Sequence, residues 1–151
     1  MSIVYLKGDA TYPQGGGNKI IAHVCNDIGL WGAGFVLAVS KRWSAPERQF
    51  RQYKTRDLGT VEVVNVEHDI WVANMVAQRG VRSRINEVPL SYIFLEVALT
   101  DVRFRSKDLS ASVHMPRIGC GLAGGKWAEV SRIVQRTLCD NGVTVYVYDL
   151  E

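Results

Sequence analysis

Val113-His114-Met115-Pro116-Arg117-Ile118-Gly119-Cys120-Gly121-Leu122-Ala123-Gly124-Gly125 reads as a short apolar strand running into a glycine-rich turn, and Trp127 to Cys139 behind it carries a helical pattern. In that helix Val130, Val134 and Leu138 return every fourth position with Ile133 and Thr137 beside them, which makes one buried stripe. Asn141-Gly142 then ends it, as a residue tolerant of positive φ does after a helix. An earlier segment has the same form. Ile20-Ile21-Ala22-His23-Val24-Cys25 is followed by Asn26-Asp27-Ile28-Gly29-Leu30-Trp31-Gly32-Ala33-Gly34-Phe35 and then by a helix. In an open α/β sheet, loops leading from strand carboxyl ends into helices are where ligands bind.

Working outward, six apolar runs predict strands: Ser2 to Lys7, Lys19 to Cys25, Val61 to Val66, Ile70 to Val76, Ala111 to Met115 and Val143 to Tyr148. Several lack strict alternation and are expected to be buried on both faces. Helices are predicted over Ala33 to Trp43, Pro46 to Tyr53, Val88 to Phe104 and Trp127 to Cys139. Only Glu67-His68-Asp69 separates two of the strands, so Val61 to Val76 is a candidate antiparallel hairpin. The fold class expected is therefore α/β, three layers α/β/α around a central mixed, mostly parallel sheet of about six strands.

At 151 residues the chain has the size of one domain, and no repeat or linker divides it; Gly15-Gly16-Gly17 and Arg79 to Asn86 read as loops. With 47% hydrophobic and 22% charged residues it has the composition of a globular protein. A net charge of +3, with the arginines spread from Arg42 to Arg136, leaves a nucleic-acid partner possible but does not indicate one. No run reaches the roughly 18 apolar residues of a membrane span and strand-like Ile3-Val4-Tyr5-Leu6 stands at the start, so the expectation is a cytoplasmic protein with no membrane contact. Cys25, Cys120 and Cys139 are odd in number and lack CxxC spacing, against a disulfide framework or structural zinc; His68 and His114 have no second ligand at useful spacing, so no metal and no cofactor is expected.

Glycines let backbone N–H groups surround an anion, and a following helix N-terminus adds partial positive charge. One such loop is ordinarily a tight turn; two on one small sheet point to a diphosphate. Gly119, Gly121 and Gly124 also spell G-x-G-x-x-G, with Asp149 after the next strand. Against a dinucleotide fingerprint, Pro116-Arg117-Ile118 stand between strand and first glycine, and no further βαβ unit follows. A nucleoside-triphosphate P-loop fails because Lys126 is followed by Trp127 and Cys120 takes the place of its first glycine.

Gly8-Asp9-Ala10-Thr11, Ala22-His23-Val24-Cys25-Asn26, Trp31-Gly32-Ala33-Gly34-Phe35 and Met115-Pro116-Arg117-Ile118-Gly119-Cys120-Gly121-Leu122 together resemble macrodomains in order and spacing, from Val4 to Leu150. The likeness is greatest to the branch containing the terminal ADP-ribose protein glycohydrolase, the yeast ADP-ribose-1″-phosphatase and small bacterial relatives. It implies a single macrodomain over residues 1–151 that binds ADP-ribose.

The same resemblance implies the site. Asp9, with Ala10, would accept a bond from the adenine amino group, or cap the turn after strand one. Tyr148 and Leu150 would line the adenine pocket, unless Tyr148 is strand packing. Ile118, Gly119, Cys120, Gly121, Leu122, Ala123 and Gly124 would wrap the diphosphate. Trp31, Gly32, Ala33, Gly34 and Phe35 would hold the distal ribose and the neighbouring phosphate. Asn26 would bond a distal-ribose hydroxyl or form an Asx-turn.

The glycohydrolase relative uses a lysine and an aspartate where this chain has Val76 and Ala123, so a covalent lysyl mechanism is not expected. The catalytic candidates are His23, Asn26, Gln78 and Arg79. His23 matches a histidine implicated in the yeast phosphatase, and is equally a core histidine. Gln78 and Arg79 follow a strand's carboxyl end, where they would orient a water or neutralise a phosphate; Arg79 is as readily a solvated loop arginine. The function implied is a metal-independent hydrolase removing ADP-ribose from acidic side chains of proteins, its partners being ADP-ribose and ADP-ribosylated proteins, with O-acetyl-ADP-ribose as a further substrate. The alternatives are an ADP-ribose-1″-phosphatase and a reader without chemistry.

Overall fold

The computed structural model describes residues 1–52 and 56–151. In chain order these form β1 (Val4–Lys7), β2 (Asn18–Asn26), α1 (Phe35–Arg42), α2 (Ala45–Gln52), β3 (Val61–Glu67), β4 (Ile70–Gln78), α3 (Tyr92–Leu109), β5 (Ala111–Met115), α4 (Trp127–Thr137) and β6 (Val145–Asp149). Tyr53, the expected end of the second helix, lies outside the described residues.

The six strands make one sheet in the order β1-β6-β5-β2-β4-β3. Every pairing is parallel except β3 with β4, the antiparallel hairpin that the short Glu67-His68-Asp69 connection implies. Strand β2 lies between β4 and β5, so its two faces are covered: Ile20 and Ala22 join a core with Leu95, Leu99, Val130 and Val134 of α3 and α4. Ile21 and Cys25 join a second core with Val36, Val39 and Phe50 of α1 and α2. Alternate residues of one strand thus face opposite layers, which gives the mixed, mostly parallel α/β/α arrangement.

Element ends move for identifiable reasons. The first helix begins at Phe35 and not Ala33, because Gly34 sits at φ 82°, ψ −148°, a conformation open to glycine and not helical. The third begins at Tyr92 and not Val88: Pro89 holds its predecessor extended, Leu90 bridges to Gln78, and Ser91 caps the helix by accepting from the Phe94 amide at 3.3 Å. This helix runs on to Leu109, where Ser110 takes a left-handed conformation at φ 50°. The last helix stops at Thr137, followed by a 3₁₀ turn over Cys139–Asn141. No helix among the described residues is long and apolar enough to cross a membrane.

Candidate functional site

Strands β2, β4 and β5 are parallel, so their carboxyl ends, and the loops after them, lie on one edge of the sheet. Two adjoining cavities occupy that edge. One, of about 210 Å³, lies between the glycine loops and is lined by His23, Gly34, Phe35, Pro116, Arg117, Ile118, Gly119, Gly121 and Ala123. The other, of about 400 Å³, is lined by Cys25, Asn26, Leu30, Gly32, Val81 and Arg82. Val24, Ala33, Val36, Gln78 and Leu122 line both, so they form one cleft. Among the described residues, Arg117 and Arg82 are its charged residues, and no Asp or Glu lines it.

The loop after β5 is held in shape by its own backbone. The Gly124 amide donates to Gly121 O at 3.1 Å, the Gly125 amide to Gly119 O at 2.8 Å, and the Leu90 amide to Ala123 O at 3.1 Å. The amides of Gly119 to Ala123 donate no bond among the described residues. Gly124 requires its lack of a side chain: at φ 75°, a Cβ there would stand 2.6 Å from Glu87 O. Across the cleft, α1 starts at Gly34 with no side-chain cap, and the amides of its first residues, Phe35 and Val36, which both line the cavity, donate no bond among the described residues. The result is a cleft of open donors flanked by arginines, built for an anion.

The loop after β2 owes its shape to Asn26. Its Oδ1 accepts from the amides of Ile28 and Leu30 at 3.1 and 3.0 Å, and its Nδ2 donates to Leu30 O at 2.7 Å. Asn26 is therefore the Asx-turn residue, at the cavity wall. Gln78 donates Nε2 to Gly80 O at 2.9 Å, which leaves Oε1 for the cleft where the two cavities meet.

His23 is buried. Its Nε2 lies 2.6 Å from Asn74 Oδ1, and the Asn74 amide is oriented by donation to Pro46 O at 3.1 Å. Oδ1 can only accept, so the proton is on Nε2 and Nδ1 is bare. Burial lowers the ring to about 4, partly offset by the Asn74 bond, so the imidazole is neutral. Burial likewise raises the thiols of Cys25 and Cys120, which keeps both protonated.

Three expectations need correction. Arg79 does not line the cleft: its guanidinium lies 5.5 Å from the ring centroid of Phe94 on α3, and the cation in the cavity wall is Arg82. Trp31 does not present its indole to the cleft but turns it into the core, 5.3 Å from Phe50, because the N–H finds its partner there in Ser40 Oγ at 2.7 Å. Tyr148 is 3% exposed, with no ring face open to a purine; its hydroxyl accepts from the Gln14 amide at 2.8 Å and lies 2.7 Å from His114 Nδ1.

The remaining residues are placed as follows. Asp9, half-buried, uses Oδ1 for both the amide and the hydroxyl of Thr11, each at 2.8 Å, so it does cap the turn after β1 while Oδ2 stays open. Ala10 is buried beside it, and Leu150 is 78% exposed beyond β6. Cys120 donates its thiol to Ile118 O at 3.3 Å instead of lining the cleft. Val76 is buried in β4 and Ala123 in the second loop.

Sequence reasoning missed Arg82 and Arg117. The latter is clamped by Asp149 at 2.7 and 3.0 Å and sits 5.4 and 5.3 Å from the rings of Tyr5 and Trp127.

No protein-family model matches the chain. The chromodomain-helicase-DNA-binding protein 1-like of Mus musculus is 31% identical over 160 residues, which are 97% of this chain but only 18% of that protein. An ADP-ribose 1″-phosphate phosphatase of Candida albicans is 26% identical over 148 residues, 88% of this chain and 92% of that protein. A solved structure of a macrodomain protein from Streptomyces coelicolor superposes with a TM-score of 0.86 at 46% identity, covering 98% of this chain and 99% of that one. Sharing nearly half its residues with that protein over almost the whole of both chains, and with the two glycine loops on one cleft, this chain belongs to the macrodomain family.

Proposed function

We propose that the cleft binds ADP-ribose and that the protein hydrolyses the bond joining the distal ribose to what it carries, an acidic side chain of a modified protein being the first substrate. One observation carries this reading: two glycine loops with open amides share a cleft that, among the described residues, has arginines and no carboxylate. The pyrophosphate would lie between Gly119 to Ala123 and the start of α1, where open N–H groups and the helix end favour negative charge. Asp9 Oδ2 would accept from the adenine amino group. The larger cavity would then hold the distal ribose and its substituent.

At the junction of the cavities Gln78 Oε1 would accept a bond from a water and aim it at the ester carbonyl or the anomeric carbon. The neutral His23, beneath the same cleft, would hold the floor through Asn74. The Candida albicans relative supports a second reading, an ADP-ribose-1″-phosphatase, and Arg82 in the wall of the larger cavity is the feature that favours it, as a counter-charge for a terminal phosphate.

Purified protein incubated separately with an automodified ADP-ribosylated protein, O-acetyl-ADP-ribose and ADP-ribose-1″-phosphate, alongside calorimetric titration of free ADP-ribose, tests this. Release from the modified protein supports the first reading; phosphate release exceeding ester hydrolysis supports the second. Tight binding with no turnover of any substrate leaves a reader.

A further inference from the structure

The segment that leaves the cleft after Gln78 is an ordered arm. The Arg79 amide donates to Pro89 O at 2.9 Å, and Ser83 and Asn86 exchange amide-to-carbonyl bonds at 3.1 Å, so Arg84 and Ile85 form a two-residue turn at the tip. Asn86 braces the interior by donating Nδ2 to the carbonyls of Arg79 and Val81 at 2.8 and 3.1 Å. The base is fixed at both sides: the Gly80 amide donates to Asp27 Oδ1 at 2.7 Å, and the backbone of Glu87 and Val88 closes on Gly124. The arm is therefore preorganised although almost all of it faces solvent.

Its charge is unpartnered. Arg82 and Arg84 make no hydrogen bond, ion pair or ring contact among the described residues, whereas every other arginine of the chain donates a side-chain bond or lies over an aromatic ring. Arg82 stands in the cavity wall and Arg84 two residues further out, so the pair marks a basic path from the larger cavity to the tip. Between and beside them Val81, Ile85 and Val88 are exposed, Ile85 by 96%.

We propose that this arm receives the polypeptide that carries the ADP-ribose, and that it selects acidic stretches flanking the modified residue through Arg82 and Arg84. The inference rests on the reading of the cleft given above. Guanidinium groups match carboxylates in two-point geometry, and aliphatic side chains on the arm suit the stems of a peptide. A single-stranded nucleic acid would want aromatic platforms, and the arm from Gln78 to Leu90 contains no aromatic residue.

The test uses the whole chain and a peptide carrying ADP-ribose through a non-hydrolysable amide, made with Glu and Asp flanks or with Gln and Asn in their place. Free ADP-ribose and an ADP-ribosylated single-stranded oligonucleotide complete the set. The acidic peptide binds tighter than the neutral one by roughly tenfold at low salt, the scale of two exposed ion pairs, and the gap closes as salt rises. Arg84→Glu removes the gap and leaves the Kd for free ADP-ribose within twofold; Arg82→Lys with Arg84→Lys retains part of it. Equal affinities for the two peptides, with free ADP-ribose still bound, overturn the inference alone. Preference for the oligonucleotide with the same dependence on Arg84 overturns it in favour of nucleic acid, and no binding of free ADP-ribose removes the reading of the cleft together with it.

Discussion

Nδ1 of His114 and the hydroxyl of Tyr148 lie 2.7 Å apart on neighbouring strands, and the same hydroxyl accepts from the Gln14 amide at 2.8 Å. Ser112 Oγ donates to Asn18 O at 3.4 Å and so accepts from Nε2–H of His114 at 2.7 Å, which leaves Nδ1 of the neutral ring to accept the phenol proton. The chain of bonds ties the segment after β1, where Asp9 sits, to β5 and β6. Tyr148→Phe leaves the imidazole without a donor and the Gln14 amide without an acceptor. Urea unfolding is expected to show a loss of about 1–3 kcal/mol.

Acid should unfold the protein through its buried histidines. Burial lowers both His23 and His114 from 6.5 to about 4, with the charge of Lys19 adding to the effect on His114. Between those values the unfolded chain binds protons that the folded one refuses, so stability is fully present above pH 6.5 and falls as pH drops toward 4. The slope is about 1.4 kcal/mol per pH unit for each histidine. His114→Gln is expected to reduce it by close to one proton, read from urea midpoints across that window.

The glycines divide into those needed for folding and those needed for the ligand. A Cβ on Gly125 would meet Gly119 O at 2.6 Å, backbone that cannot yield, whereas a Cβ on Gly121 or Gly32 meets nothing within 4 Å. Gly125→Ala should destabilise by about 1–3 kcal/mol. Gly121→Ala and Gly32→Ala should change stability by less than about 0.5 kcal/mol, yet weaken ADP-ribose binding by roughly tenfold, because the added methyl would intrude on the proposed place of the pyrophosphate at Gly121 and of the distal ribose at Gly32.

Neighbouring residues Gln78 and Arg79 should respond oppositely. Gln78→Ala removes the oxygen at the junction of the cavities, and kcat on the ADP-ribosylated protein should fall by roughly 100-fold with the Kd for ADP-ribose little changed. Arg79→Ala, which loses only its place over Phe94, should leave both within twofold.

Most of the sheet was legible because burial on both faces leaves a plain mark: Ile20-Ile21-Ala22 and Val72-Ala73 are apolar without alternation. Both glycine loops were legible from composition, and the ends of α1 and α3 were not, since they depend on the φ of Gly34 and on Pro89 and Ser91 overriding an apolar pattern. Strand alternation was the overlooked signal at the site. Gln78 faces the cleft, so its neighbour Arg79 leaves on the other side, and only the turn at Gly80 and Val81 brings an arginine back, as Arg82. Trp31 and Tyr148 misled for one reason: each aromatic carries a polar group, and whether the ring is buried turns on a distant partner, Ser40 or His114.

Amide-resolved NMR during titration with ADP-ribose tests the central claim most directly. The account predicts that the amides of Gly119 to Ala123 and those of Gly32 to Val36 shift together and saturate at one equivalent. Shifts confined to one of the two loops, or none in either, would contradict it.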